Sequence, residues 1–266
     1  MRLGRTLGTR KLVEKYPSLM DSSASNVTKM SLKLLIEGTL WQSIRTQRVL
    51  TKRFERGIER INFDTEKAIV QIGANDGLHS DPLRPILASR DMRAVLVEPM
   101  PVAFEALSQL YADRANTQLV NRAISTSGGR MVLYTPKVKG NELQSTLWAC
   151  RSKEQAAHEV ERNMGRKALQ EMEITEVPVL SQTASELCSS CQLTPEDVAV
   201  LVCDTEGQDA EVVGSFLDAG SLPEMIFYEQ IHVPHGVATQ VKERLSSLGY
   251  ELFATHKDVL ASRTHE

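Results

Sequence analysis

The chain has 266 residues, of which 41% are hydrophobic, 24% are charged and 5% are aromatic. This length suits one large α/β domain with an appendage better than two full domains. No apolar run reaches the roughly 18 residues that a membrane span needs, and no signal-peptide core follows Met1. We therefore expect a cytoplasmic protein without a transmembrane segment.

Charge is distributed unevenly along the chain. Residues 1–60 hold 13 lysines and arginines against 5 acidic residues, a net charge of +8, and the remainder holds 18 against 29, a net charge of −11. We divide the chain into a basic N-terminal helical arm at 1–62 and an acidic domain at 63–266, with a cap-like insertion at about 140–180. The basic charge could belong to a solvated helix face or could contact an acidic partner. A nucleic-acid partner is not predicted.

The arm is predicted to be helical after a loosely ordered start. Residues 1–27 mix basic residues with a proline and a cluster of Ser and Asn, which is typical of an irregular segment that ends in a turn. Apolar residues then recur at helical spacing, first before Gly38, where a break is expected, and then from Leu40 to Ile61. The arm could pack on the main sheet, cover a substrate mouth or join two subunits into a homodimer.

A buried strand that runs into a glycine turn is the central feature of the sequence. Ala68–Ile72 is almost wholly apolar, and Gly73–Gly77 allows a tight turn close to a ligand. About twenty residues later a second apolar strand stops at Glu98, where nucleotide-binding α/β folds place an acid for the ribose hydroxyls. The G-x-x-x-G spacing with Asp76 inside disfavours a pyrophosphate. It suits a ligand with an ammonium group and a ribose, such as S-adenosylmethionine, although an ordinary loop could also show this pattern.

Strands and helices alternate with short links as far as about residue 124. This alternation predicts a parallel, doubly wound sheet. It is interrupted by an apparent hairpin strand near 131–134 and by a charged helix from about 152 to 171, which could select a substrate or be a solvent-exposed decoration. The apolar strands 198–203 and 225–228 then resume the sheet, and 250–253 with 258–261 are predicted to form a terminal β-hairpin.

Acidic and polar groups follow the two later apolar strands. Asp204, Glu206 and Asp209 follow the first strand, and Glu229 and His232 follow the second. Because ligands of open α/β sheets bind at the carboxyl ends of the strands, we expect these side chains near the bound molecule. The pKa of histidine suits a general base, with Glu229 or Asp204 to orient it. Alternatively, the acids cap the next helix and His232 is a surface residue, or the acids gather Mg²⁺. We predict a site without a metal ion.

Several separate motifs resemble the FkbM family of S-adenosylmethionine-dependent methyltransferases, which use the class I methyltransferase fold. The matches, which span roughly residues 67–261, are Val70–Gly77 with Asp81-Pro82-Leu83, Val97-Glu98-Pro99 with Phe104–Leu107, Ala123–Ser125, Asp204–Asp209 and Tyr228–His232. The resemblance implies an α/β fold whose mostly parallel, doubly wound, seven-stranded Rossmann-like sheet ends in an antiparallel hairpin.

The resemblance also implies a role for each part of the motif set. The glycine turn would hold the methionine part of S-adenosyl-L-methionine, Glu98 would bind the ribose hydroxyls, and Ala123 would lie near the adenine. The cofactor-binding residues predicted in this way are Gln71, Gly73, Asn75, Asp76, Gly77, Asp81, Glu98, Pro99, Ala123 and Asp204. Gln71 stands where many methyltransferases have an acid, so the contact to the cofactor ammonium is expected from Asp76 or Asp81.

The predicted activity is methyl transfer to a hydroxyl of a sugar, glycan or related metabolite, with His232, Asp204 and Glu229 as catalytic residues. Methyl transfer from a sulfonium is an in-line displacement, so the protein mainly positions the acceptor and excludes water, and a base helps a weak nucleophile such as an alcohol. One alternative is an NAD-dependent oxidoreductase, which the missing G-x-G-x-x-G opposes. Another is a non-catalytic adenosyl-binding module. The arm and the insertion match no part of the family, which leaves the acceptor open.

Overall fold

The computed structural model describes residues 26–63, 66–79, 81–137 and 142–263. The irregular start predicted for the arm therefore lies, up to residue 25, outside the described residues. Contacts within the chain divide it into a unit that ends at Val49 and a unit that begins at Leu50. The described residues of the first unit are helical.

The first helix, α1 (Asn26–Arg60), runs without interruption through Gly38. The predicted break is wrong, because one glycine costs a helix interior only about 1 kcal/mol relative to alanine. In the second unit Leu50, Phe54 and Ile58 recur at a spacing of four residues and are fully buried against the main sheet. The C-terminal part of α1 therefore forms part of the core of that unit.

Ten strands form two sheets among the described residues. They are β1 (Ala68–Ile72), β2 (Arg93–Val97), β3 (Thr117–Val120), β4 (Ala123–Ile124), β5 (Gly129–Pro136), β6 (Ile174–Gln182), β7 (Val198–Cys203), β8 (Met225–Glu229), β9 (Tyr250–Ala254) and β10 (Asp258–Arg263). The main sheet has the order β3-β2-β1-β7-β8-β10-β9. Its pairings are parallel except those of β10, which is antiparallel to β8 and to β9. This order confirms the predicted mostly parallel, seven-stranded, Rossmann-like sheet with a terminal antiparallel hairpin.

Helices cover both faces of the main sheet. After α1 they are α2 (Arg84–Ser89), α3 (Pro101–Leu110), α4 (Glu142–Thr146), α5 (Lys153–Met164), α6 (Arg166–Glu171), α7 (Ala184–Ser190), α8 (Asp209–Asp218) and α9 (His235–Ser247). Side chains of α1 and α3 pack on one face, and Leu187, Phe216 and Leu245 of α7, α8 and α9 pack on the other. Every residue of β1 and β7 is buried as a result, which explains their continuous apolar sequences. None of the described helices has the length and apolar content to cross a lipid bilayer.

The segment between β4 and β7 forms a smaller sheet with helices inserted into it. Strand β6 pairs antiparallel with β5 and parallel with β4, and α4, α5 and α6 lie in the chain between β5 and β6. The predicted charged helix is two helices, because Gly165 between them adopts a left-handed backbone with φ +89°. This insertion supplies part of the wall of the site described next.

Candidate active site

Gly73 allows the turn after β1 to pass very close to the end of β7. Its φ is +81°, and a Cβ atom at this position would lie 1.9 Å from the backbone carbonyl oxygen of Asp204. The backbone N–H groups of Gly73 and Ala74 donate to the carbonyl of Val97 at 2.9 and 3.0 Å, and that of Asp204 donates to the carbonyl of Ile72 at 3.0 Å. The turn is thus held between β2 and β7, and glycine is the residue that fits there.

The side chain of Asp76 stabilises the turn through hydrogen bonds. Its side chain is fully buried, and its carboxylate accepts hydrogen bonds from the backbone N–H groups of Leu78 at 2.9 Å and His79 at 3.0 Å. Burial by itself raises the pKa of Asp76, but the bonds from His79 and Leu78 together hold it below its usual value. Gly77 has φ +70° and approaches side chains of α3. Both residues shape the turn, and neither is among the residues that line the cavity.

Glu98 stands at the end of β2, as predicted, and is tied to the backbone on both sides. Its Oε2 accepts from the N–H of Asn75 and its Oε1 accepts from the N–H of Met100, each at 2.8 Å. Burial raises the pKa of Glu98 to about 7, against the lowering effect of these two bonds. Since a carboxylate oxygen can accept more than one hydrogen bond, Glu98 can also accept bonds from ligand hydroxyls.

Gln71 and Asp81 place two unpaired acceptor oxygens beside the glycine turn. Nε2 of Gln71 donates to Oδ1 of Asp81 at 3.0 Å, and Oδ1 also accepts from the N–H of Leu83 at 2.8 Å. Within the described part of the chain, Oε1 of Gln71 and Oδ2 of Asp81 are buried and have no hydrogen-bond partner. Buried polar atoms are normally paired, so these two oxygens suit a ligand group that carries N–H donors.

A cavity of about 440 Å³ lies at the carboxyl ends of β1, β2, β7 and β8. The predicted residues that line it are Gln71, Gly73, Asn75, Asp81, Glu98, Pro99, Ala123, Asp204 and Glu229. Further lining residues that the sequence analysis did not identify are Thr146, Trp148, Arg151, Asn163 and Lys257. The first four belong to the insertion, and Thr146 also donates a hydrogen bond to the side chain of Asn75 at 3.3 Å. The insertion therefore contributes directly to the cavity wall.

The cavity is predominantly acidic. Its carboxylate-bearing lining residues are Asp81, Glu98, Asp204, Glu206 and Glu229. Arg151 and Lys257 contribute cationic groups to the same wall, and Nζ of Lys257 lies 3.2 Å from Oε1 of Glu229. Burial is the main cause that raises the pKa of Asp204 and of Glu229 to about 7. A cationic ligand would reduce the repulsion among these acids.

The loop after β7 is held in an unusual backbone conformation. The buried carboxylate of Asp209 accepts hydrogen bonds from the N–H groups of Thr205 and Gly207, each at 3.2 Å. Glu206 has φ +52°, a left-handed conformation that costs a non-glycine residue on the order of 1–3 kcal/mol. Its carbonyl oxygen accepts a hydrogen bond from the side chain of Gln155 on α5. The insertion and Asp209 together fix the direction of this acidic loop.

His232 is nearly buried, but it is not among the residues that line the cavity. Its Nδ1 lies 3.3 Å from Oε1 of Glu159, and its Nε2 lies 3.4 Å from Oε2 of Glu206 and 3.4 Å from Oε2 of Glu229. Burial lowers the pKa of His232, while Glu159 acts in the opposite direction. His232 therefore contacts two acids that line the cavity, and the structure does not place it on an exposed loop surface.

Glu159 is a site residue that sequence reasoning missed. Its side chain is only 1% exposed, although it lies on the polar helix α5, and its Oε2 pairs with Arg162 at 2.7 Å. Donor atoms of Glu159, Glu206 and His232 lie within 4.8 Å of one another, as do those of Asp204, Glu206 and Glu229. These two groups could hold a metal ion. The buried Ala156 and Val160 show that this side of α5 faces inward, which is a weak signal in the sequence.

Neither a protein-family model nor a curated protein matches the chain. Solved structures with a similar fold include one described as methyltransferase FkbM from Methylobacillus flagellatus, at 12% identity and a TM-score of 0.45, over 77% of this chain and 45% of that chain. The protein thus spans less than half the length of that relative.

Two further solved structures show a similar likeness. A precorrin-6y C5,15-methyltransferase from Geobacter metallireducens matches 79% of this chain and 86% of its own, at 10% identity and a TM-score of 0.40. Fibrillarin from Aeropyrum pernix in complex with S-adenosyl-L-methionine matches 76% of this chain and 68% of its own, at 14% identity and a TM-score of 0.35. At such low identities and TM-scores, these structures do not indicate the activity or the acceptor of this protein. Membership of the FkbM family stays a prediction.

Proposed function

We propose that the chain is an S-adenosylmethionine-dependent methyltransferase of the FkbM type, with the cofactor at the carboxyl ends of β1, β2 and β7. The observation that carries this proposal is the pair of buried, unpaired oxygens on Gln71 and Asp81 beside the glycine turn. In this proposal the ammonium group of the methionine part donates to these oxygens. Glu98, at the end of the next strand, is available for the ribose hydroxyls.

The same observation opposes the NAD-dependent alternative. A pyrophosphate would bring acceptor oxygens and negative charge against unpaired acceptor oxygens in a cavity lined by five acidic residues. S-adenosylmethionine instead brings a sulfonium and an ammonium group, which such a cavity stabilises. The proposed ammonium contact is Asp81, since the carboxylate of Asp76 already accepts bonds within the turn.

Glu98→Gln is expected to weaken S-adenosylmethionine binding by about 1–3 kcal/mol at pH 8, because charge-assisted hydrogen bonds to the ribose are lost. The raised pKa of Glu98, about 7, adds a pH dependence. Between about pH 6 and pH 8 the ionised fraction of Glu98 rises, so wild-type affinity should rise by up to about tenfold. The variant should lose this rise. Calorimetric titration at several pH values measures both effects.

Glu105→Gln is the matched control, because Glu105 is exposed on α3 and receives the same substitution. Glu105→Gln should leave the affinity for S-adenosylmethionine, and the pH dependence of that affinity, unchanged. Equal affinities for wild type and Glu98→Gln, in proteins of equal folded content, would remove Glu98 from the ribose site. The difference between wild type and variant also cancels any titration of the ligand itself.

Asp204 is the proton acceptor that we propose for the transfer step. It lines the cavity beside Gly73, where the cofactor's methionine part would lie, whereas His232 is separated from the cavity by Glu206 and Glu229. When bound, S-adenosylmethionine would supply a methyl group with a thioether as the leaving group, and the Asp204 carboxylate would accept the proton that the attacking hydroxyl loses. Glu229 lines the same wall and would help to orient the acceptor, and His232 would hold the two glutamates in place.

A hydroxyl of a sugar, glycan or related metabolite is the acceptor class we propose. Supporting this, the insertion lines the cavity with Trp148, Arg151 and Asn163, which offer an aromatic face and hydrogen-bonding groups to a hydroxylated molecule. The cavity volume of about 440 Å³ lies within the range of roughly 300–1,000 Å³ that is usual for small-molecule sites.

A methyl-transfer screen tests this function. Radiolabelled S-adenosylmethionine is incubated with sugars, glycans and their deoxy analogues, and transferred label is counted. Transfer to hydroxylated acceptors and not to the matching deoxy compounds is expected. Equal labelling of both would overturn the hydroxyl acceptor, and firm cofactor binding without any transfer would favour the non-catalytic module.

A further inference from the structure

Every backbone N–H group of the glycine turn, from residue 73 to residue 79, already has an acceptor within the protein. The acceptors are carbonyl and side-chain oxygens at 2.8–3.0 Å, and they belong to Ala74, Asn75, Asp76, Val97 and Glu98. An N–H group carries one hydrogen and donates one good hydrogen bond. The turn therefore has no backbone donor left for an anionic group of a ligand, and such a group needs a side-chain donor.

The loop after β7 brings one unpaired hydroxyl group to this turn. Oγ1 of Thr205 is buried and has no hydrogen-bond partner in the described part of the chain, and Thr205 lines the cavity. Three other described residues have a buried side-chain donor without a partner, but they do not line the cavity: Gln182, Ser221 and Tyr228. Buried hydroxyl groups are normally paired, so the hydroxyl of Thr205 suits a ligand group.

The position of Thr205 is fixed by its backbone and by its contact with the turn. Its N–H donates to Oδ1 of the buried Asp209 at 3.2 Å. Its methyl carbon lies 3.5 Å from the place that a Cβ atom at Gly73 would occupy. The side chain of Thr205 is thus held against the glycine turn, on the side of β7.

The two cationic side chains of the cavity wall already have anionic partners. Arg151 lies 3.1 Å from a carboxylate oxygen of Glu211, and Lys257 lies 3.2 Å from one of Glu229. An anionic ligand group would have to compete with these carboxylates for either cation. The hydroxyl of Thr205 is available without such competition.

S-adenosylmethionine has a carboxylate on the same carbon as its ammonium group. With the ammonium group at Gln71 and Asp81, this carboxylate lies beside the glycine turn, in a cavity lined by five acidic residues. A carboxylate in such surroundings needs a hydrogen-bond donor. We infer that the hydroxyl of Thr205 donates to the carboxylate of S-adenosylmethionine and that Thr205 is a further cofactor-binding residue. This inference rests on the proposed function, because it concerns the same cofactor.

The test compares two ligands that differ in this carboxylate. The full chain and its Thr205→Val variant are titrated in a calorimeter with S-adenosylmethionine and with decarboxylated S-adenosylmethionine, which keeps the amino group, the sulfonium and the adenosine. Thr205→Val should weaken binding of S-adenosylmethionine by about 10–100-fold, as expected when a hydrogen bond to a charged group is lost. It should change the affinity for the decarboxylated compound by no more than about twofold.

The ratio of variant to wild-type affinity is compared between the two ligands, because the acidic cavity acts on the charge of each ligand in both proteins alike. Thr205→Ser keeps the hydroxyl and should bind S-adenosylmethionine nearly as tightly as wild type. Thr239→Val is the matched control, since Thr239 lies on α9 and outside the cavity lining. It should leave the affinity for both ligands unchanged.

Two results would overturn the role of Thr205 and leave the proposed function standing. One is wild-type affinity for S-adenosylmethionine in folded Thr205→Val, and the other is equal weakening of both ligands, which would assign Thr205 to the shape of the cavity. If Thr205→Val does not fold, Thr205→Ala, which also lacks the hydroxyl, gives the same comparison. Absence of binding of either ligand to wild type would instead overturn the proposed function, and this inference with it.

Discussion

Gly73→Ala is expected to destabilise the folded protein by about 2–4 kcal/mol and to abolish measurable cofactor binding. Roughly 1 kcal/mol reflects the left-handed backbone, φ +81°, which a Cβ atom disfavours. The rest arises because the new Cβ would lie 1.9 Å from the carbonyl oxygen of Asp204, which forces the turn away from β7, at a cost typical of overpacking. Denaturant unfolding and calorimetric titration measure the two effects.

Gly249→Ala is the matched control for this prediction. Gly249 has φ +84°, almost the value at Gly73, yet a Cβ there would meet no heavy atom within 4 Å. Gly249→Ala should lower the free energy of unfolding by only about 1 kcal/mol, because only the backbone conformation opposes the new side chain. If Gly73→Ala costs no more than Gly249→Ala and still binds the cofactor, the close contact between the turn and β7 is not essential to the site.

Asp204→Asn is expected to lower turnover by roughly 10²–10⁴, the usual contribution of a positioned acid or base. S-adenosylmethionine affinity should fall much less than turnover, since Gln71, Asp81 and Glu98 would still contact the cofactor when residue 204 carries no charge. The amide keeps the shape of the carboxylate and removes its capacity to accept a proton. Rates are measured at saturating acceptor, with affinity determined separately.

Asp218→Asn provides the control, because Asp218 lies at the exposed end of α8, where it pairs with Arg244. It should retain full turnover. Near-normal turnover in folded Asp204→Asn would remove Asp204 from the catalytic role. The general-base role predicted for His232 from the sequence would then become the leading account, despite the ring's position outside the cavity lining.

The sequence predicts the parts of the fold and site that depend on local patterns. Buried strands such as Ala68–Ile72 are visible as continuous apolar runs because both faces of the sheet are covered. Gly73 and Glu98 are visible because their spacing follows from the geometry of a strand, a tight turn and the next strand. Together these features predict the strand arrangement and the edge of the sheet where the cavity lies.

The sequence does not predict contacts that depend on tertiary packing of the insertion. Trp148 lines the cavity and Glu159 contacts His232 through tertiary packing of the insertion. The only local signal for Glu159 is the weak one from its apolar neighbours Ala156 and Val160 on α5. Asp76 was expected to be a candidate ammonium contact, but its carboxylate is occupied by N–H groups of its own turn. An acid in a glycine turn has the same appearance in the sequence whether it faces the ligand or folds the loop.

In the proposed function, the cavity binds S-adenosylmethionine through the unpaired oxygens of Gln71 and Asp81. The most direct test is calorimetric titration of the full chain with S-adenosylmethionine and, in parallel, with NAD, followed by the same pair of titrations on Asp81→Asn. We predict stoichiometric binding of S-adenosylmethionine, weakened in the variant, and no detectable binding of NAD. Binding of NAD with S-adenosylmethionine inert, or equal S-adenosylmethionine affinity in folded Asp81→Asn, would contradict the claim.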